Sequence, residues 1–143
     1  MATRGELTEA AVLKELTALG LTVSLPFAGD APYDLLVDLN DGRFARVQCK
    51  SGRLRDGCVV FNTASTDHGR GRLDYRGRAD VFGVFCPAID RVFVVPVEEA
   101  STRAARLRLE PVRNGQRLGV RLASEHTPER WLARTWGVVP EAA

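Results

Sequence analysis

Asp34-Leu35-Leu36-Val37-Asp38-Leu39-Asn40-Asp41-Gly42-Arg43-Phe44-Ala45-Arg46-Val47-Gln48-Cys49-Lys50 reads as two alternating strands joined by a turn. On the first strand Leu35, Val37 and Leu39 share one face, and Asp34, Leu36 and Asp38 share the other. On the second, Ala45, Val47 and Cys49 are small or apolar, and Arg46, Gln48 and Lys50 are polar. A two-residue Asp41-Gly42 turn would set Asp34 opposite Cys49 and press the apolar face of one strand against the polar face of the other. A three-residue Asn40-Asp41-Gly42 loop removes that clash. It pairs Leu35 with Val47 and Val37 with Ala45, and places Gly42 in the left-handed conformation that such loops require. Asp34 then stands opposite Gln48, with Lys50 one step along on the same face and Cys49 turned toward the core.

Upstream of the hairpin, residues 3–19 read as a helix. Thr3 and Glu6 form a capping box, Gly20 terminates it, and Val12, Leu13, Leu16 and Leu19 recur at helical spacing. Residues 21–25 alternate as a strand closed by Pro26. Downstream, residues 58–63, 81–86 and 92–97 read as strands. Residues 64–78, rich in glycine and arginine, read as a loop, and residues 98–105 as a short helix. A second hairpin is expected from Leu107-Arg108-Leu109-Glu110 and residues 118–122 around Asn114-Gly115. A last helix opens at Thr127-Pro128 and carries Trp131, which is expected in the core. The order helix, strands, helix implies an α/β or α+β sandwich, with one domain spanning residues 1–143.

The composition sets limits. With 45% hydrophobic and 27% charged residues, the chain has the make-up of a globular domain. No apolar run approaches the roughly 18 residues of a membrane helix, and no secretory pattern opens the chain. Cys49, Cys58 and Cys86 are odd in number and scattered, and His68 and His126 supply no zinc spacing, so a cytoplasmic setting is expected. Residues 1–42 hold two basic and seven acidic side chains, whereas residues 43–78 hold nine basic and three acidic. That local balance suits a polyanion, although a solvated face of an arginine-rich chain has the same signature. Against 18 arginines there are two lysines, Lys14 and Lys50. Lys50 on a strand hints that an ammonium was needed there, since the two cations are not interchangeable.

Glu9 lies one turn before Leu13, on the stripe that must face the sheet. A glutamate there is costly unless paired or coordinated. Asp34, Gln48 and Lys50 on one face admit two readings: a structural ion pair with Gln48 satisfying the backbone, or a site. A buried pair of that kind is a poor source of stability, which favours the site.

Gly5-Glu6-Leu7-Thr8-Glu9-Ala10-Ala11-Val12, Pro26-Phe27-Ala28-Gly29-Asp30, Tyr33-Asp34-Leu35-Leu36, Arg46-Val47-Gln48-Cys49-Lys50 and Tyr75-Arg76-Gly77-Arg78-Ala79-Asp80, in that order, resemble the PD-(D/E)XK nuclease superfamily. The likeness is greatest to the branch of group I intron homing endonucleases, and runs from about residue 4 to residue 122. Tyr33 stands where that signature has proline, and Gln48 replaces its second acidic residue. The glutamine is usual in the homing-endonuclease-like branch and counts against the Holliday junction resolvases, which keep a carboxylate.

The resemblance implies a restriction-endonuclease-like mixed sheet flanked by helices, with an added C-terminal hairpin and helix. It implies a Mg²⁺-dependent DNA endonuclease, with Mn²⁺ as substitute, leaving 5′-phosphate and 3′-hydroxyl ends. Asp34 is then the indispensable metal ligand, with the Gln48 amide oxygen and the Cys49 backbone carbonyl beside it. Glu9 holds water on the metal, or a second metal. Lys50 orients and helps deprotonate the attacking water and stabilises charge on the phosphate. Arg53, Arg55, Arg70, Arg72, Arg76 and Arg78 are the candidates for DNA contact. Tyr75 is expected to pack beside the site, and Asp80 to cap or brace the following strand. A homodimer or homotetramer acting on duplex or branched DNA is expected, because cutting two strands takes two such sites. The alternatives are a Holliday junction resolvase of phage origin and a non-catalytic DNA-binding module of the same fold.

Overall fold

The computed structural model describes residues 1–67, 71–100, 103–110 and 121–137, with segments 65–67 and 71–74 as backbone only. Helix α1 (Arg4–Ala18) begins at the predicted capping box: the Thr3 side chain accepts from the Glu6 amide, and the Glu6 carboxylate accepts from the Thr3 amide. Strands β1 (Thr22–Ser24), β2 (Leu35–Asp38) and β3 (Phe44–Ser51) follow as an antiparallel meander.

The β2–β3 register is the predicted one, Leu35 against Val47 and Val37 against Ala45. Leu39 and Arg43 close a three-residue loop in which both Asn40 (φ 63) and Gly42 (φ 88) are left-handed. Asn40 tolerates this because its amide proton goes to Asp38 Oδ1 and its side chain donates to the Gly20 carbonyl at the end of α1.

Beyond β3 the chain bends through β4 (Arg53–Arg55) into β5 (Cys58–Asn62), then β6 (Ala64–Asp67) and β7 (Gly71–Asp74). The last two pair as an antiparallel ribbon where a loop was expected. The glycine and arginine content had masked a backbone pairing that needs no apolar face. Strands β8 (Val81–Cys86) and β9 (Arg91–Pro96) complete the main sheet, whose order is β1-β2-β3-β8-β9 with β3 and β8 parallel.

The expected helix over residues 98–105 is not formed. A single 3₁₀ turn (Val97–Glu99) precedes β10 (Ala104–Arg108), which pairs antiparallel with β5, so that β10-β5-β4 form a second sheet. Burial of Ala105 and Leu107 against that sheet overrides the helical preference of the Ala and Arg residues there. Within the expected second hairpin, β10 is thus a partner of β5. Arg108 forms a parallel bridge to Leu122, and the turn at residues 111–120 lies outside the described residues. The final helix, α2 (Pro128–Thr135), has Thr127 as its N-cap and Pro128 in its first turn, with Trp131 and Leu132 buried.

Two apolar clusters lie on opposite faces of the main sheet. On one, Val12 and Leu16 of α1 and Trp131 of α2 cover Leu35, Val37, Val47, Val81 and Val94. On the other, Phe61 and Leu107 of the second sheet meet Phe82, Val84, Phe93 and Val95. Gly83 on β8 lets Val12 approach the sheet closely, which fixes the height of α1 above β3. Thr8, buried on α1, reaches Ser51 at the end of β3 with a 2.7 Å hydroxyl–hydroxyl bond. These two contacts determine where Glu9 stands.

Candidate active site

Asp34 directly precedes β2, beside the part of β3 that runs on past the pairing with β2. Its amide donates to the Val47 carbonyl (2.8 Å), and its Oδ2 accepts from the Cys49 amide (2.8 Å). A side-chain carboxylate thus takes the place of a strand acceptor, leaving Oδ1 for other work. Those two bonds straddle Gln48 in the chain, in keeping with the expected opposition of Asp34 and Gln48.

Glu9 meets Asp34 from α1. Burial first, then the charge of Asp34 and a hydrogen bond with it, and finally Glu6, push the Glu9 carboxyl above its ordinary range. Two carboxyl groups this close need a proton or a cation between them. Their oxygens and the half-buried Gln48 amide are hard donors, so the residues present fit a Mg²⁺ ion. Among the described residues no group of three or more His, Cys, Asp and Glu side chains gathers that could hold a metal.

Cys49 packs its thiol against the α1-side cluster, and burial, followed by Asp34 and Glu9, pushes its pKa far upward. A thiol kept protonated in this way is a poor nucleophile, since the thiolate is the reactive form. Lys50 reaches the opposite cluster. Its Nζ donates to the Tyr75 hydroxyl (3.3 Å) and lies 4.7 Å from the Tyr75 ring centroid. Among the described residues no carboxylate lies within ion-pair distance of Lys50. The structural Asp34–Lys50 ion pair is therefore not formed, and no direct bond joins Asp34 to Gln48 or Lys50.

Asp80 braces β8, as expected. Its carboxylate receives the Arg46 amide (2.7 Å) and the Arg46 guanidinium at Nε and Nη2, while its own amide donates to the Arg46 carbonyl.

Among the described residues the candidate DNA-contact arginines are dispersed. Arg53 and Arg55 are exposed on β4, and Arg53 lines a cavity of about 630 Å³ with Arg4, Leu7 and Leu54. Arg76 is exposed beside a cavity of about 650 Å³ beyond the hairpin turn, which includes none of Glu9, Asp34, Gln48 or Lys50. Arg78 is half-buried against the Tyr75 ring, with its guanidinium carbon 5.9 Å from the centroid. Arg72 lies in β7, described as backbone only; Arg70 and His68 lie outside the described residues. Thr8 stands one turn before Val12 on the same stripe, and its burial is not marked by the apolar periodicity because threonine is polar.

The sequence model of the PD-(D/E)XK endonuclease family matches residues 1–128, and the chain belongs to that family of nucleases. None of the curated proteins matches it in sequence. Among solved structures, the bacterial homing endonuclease I-Ssp6803I is similar over 94% of this chain and 93% of its own, at 20% identity and a TM-score of 0.70. Hjc, a Holliday junction resolvase from Archaeoglobus fulgidus, covers 97% of this chain and 100% of its own at 14% identity and a TM-score of 0.48. The fold is the restriction-endonuclease-like one that the resemblance implied. No helix among the described residues is long and apolar enough to cross a membrane.

Proposed function

We propose that this nuclease is a Mg²⁺-dependent DNA endonuclease of the homing-endonuclease type, cleaving to 5′-phosphate and 3′-hydroxyl ends. The observation that carries the reading is the placing of the Asp34 carboxylate by the Cys49 amide (2.8 Å), one position beyond the Leu35–Val47 pair and so across from Gln48, with burial and Asp34 raising the Glu9 carboxyl on α1. Glu9, Asp34, the Gln48 amide oxygen and the Cys49 carbonyl would hold the ion, which supplies Lewis-acid stabilisation of a charged phosphate. Water attacks phosphorus, the bond to the 3′ oxygen breaks, that oxygen takes a proton, and the phosphate stays on the 5′ side. Lys50 serves the charge that develops on the phosphate oxygens. Its partner Tyr75 is neutral, so its own charge is not spent on a carboxylate. Arg53, Arg55, Arg70, Arg72, Arg76 and Arg78 are the proposed DNA contacts, Arg78 being the least available because it is stacked. Two copies would be needed to cut both strands.

Nicking of supercoiled plasmid in Mg²⁺, with wild type, Asp34→Ala and Lys50→Ala, tests this. Wild type should nick, Asp34→Ala should not, and Lys50→Ala should nick far more slowly than wild type. No cleavage by wild type on plasmid, linear duplex or a four-way junction would favour a DNA-binding module instead. Symmetric nicks on the junction with duplex untouched would replace the homing reading with a resolvase.

A further inference from the structure

Tyr75 follows β7 and is 5% exposed. Its carbonyl accepts from the amides of Arg78 (2.9 Å) and Ala79 (3.0 Å), and its ring meets Phe82 edge-on at 5.6 Å and 89°. Backbone and ring are therefore both held, and the hydroxyl is delivered to a set place. That place is the Lys50 ammonium, which uses the ring and the hydroxyl of one residue and has no other partner among the described residues.

Lys50 follows Cys49, whose amide binds the Asp34 carboxylate, and a lysine on four rotatable bonds could otherwise swing toward that carboxylate as an ion-pair partner. Such a pair would neutralise the cation and occupy an acidic ligand at once. A neutral acceptor with a π face holds an ammonium without cancelling its charge.

We propose that Tyr75 is a positioning residue for Lys50, keeping the ammonium apart from Glu9 and Asp34 and aimed at the site where the phosphate is cut. This rests on the nuclease reading of Lys50. It concerns a residue on a different segment of the chain, brought in by the turn between the β6–β7 ribbon and β8. The Arg78 guanidinium on the same ring adds a second cation contact that holds the ring in place.

The test is Tyr75→Phe, which keeps the ring, its packing on Phe82 and its π face, and removes only the acceptor. Single-turnover nicking of supercoiled plasmid in Mg²⁺ is measured beside affinity for a labelled duplex and thermal stability. Nicking should slow roughly 10- to 100-fold, the usual effect of a catalytic group displaced by about 1 Å, with affinity and stability unchanged. The loss should shrink or vanish in a Lys50→Ala background, because the two residues act as one unit. Should Lys50→Ala fall below detection, Lys50→Arg serves as that background. Wild-type nicking by Tyr75→Phe, or an equal loss in both backgrounds, would overturn the inference while leaving the nuclease reading intact. Wild-type nicking by Lys50→Ala would remove the role of Lys50 itself, and this inference with it.

Discussion

Gly83→Ala tests the packing that sets the site. A methyl group at residue 83 would lie 2.6 Å from Val12 Cγ1, 3.3 Å from Val12 Cγ2 and 3.0 Å from Val47 Cγ1. Carbon atoms rest at about 3.5–4.0 Å, so roughly 1 Å of separation must be found. Val12 cannot supply it by rotating, because both of its methyl groups face the new carbon and a valine on a helix has one strongly preferred rotamer. The helix must lift instead. Overpacking of this kind costs about 1–3 kcal/mol, which corresponds to a fall in Tm of roughly 3–10 °C for a chain of this length. Glu9 is one turn from Val12, so the same lift moves its carboxyl away from Asp34, and Mg²⁺-dependent nicking should fall by more than the stability loss accounts for. Thermal unfolding by circular dichroism, with nicking measured well below Tm, reads both effects. Gly29→Ala is the control, since nothing lies within 4 Å of its added carbon. Val12→Ala in the Gly83→Ala background makes room and should restore part of both losses. If Gly83→Ala melts with wild type and nicks normally, α1 does not rest on β8 as described and the placement of Glu9 is wrong.

Glu9→Gln removes a charge crowded against Asp34. A raised carboxyl pKa in the folded state contributes stability in acid that is lost as pH rises through that folded value. Without metal the variant should therefore melt higher than wild type at neutral pH, with the gain fading as pH falls toward the ordinary 4.5. A pH-independent difference would contradict the crowding. Gln48→Glu adds a negative charge to the proposed ligand set, so Mg²⁺ titration should show tighter binding than in wild type; the reverse order would count against Gln48 as a ligand. Cys49→Ala should keep its nicking activity, because a half-buried thiol with a raised pKa takes no part in the chemistry. Its complete inactivation would reopen that question.

Much of the site was legible in the sequence because it is local. Asp34 through Lys50 lie on one hairpin, and the period-two alternation with Asn40-Asp41-Gly42 admits a single register that buries the apolar face. The cap of α1 and the start of α2 are likewise set by neighbours three or four residues apart. Tertiary structure alone decided the contacts made across the chain. Residues 104–108 carry a helical bias, yet they form a strand because β5 offers an edge that buries Ala105 and Leu107. Lys50 has a carboxylate expected on its own face but takes the Tyr75 hydroxyl, delivered by a turn 25 residues further on. Glu9 becomes a partner of Asp34 only because Gly83, far along the sequence, leaves room for α1 to settle. A periodic pattern reports which face a residue occupies; the distance between two faces depends on what fills the space between them.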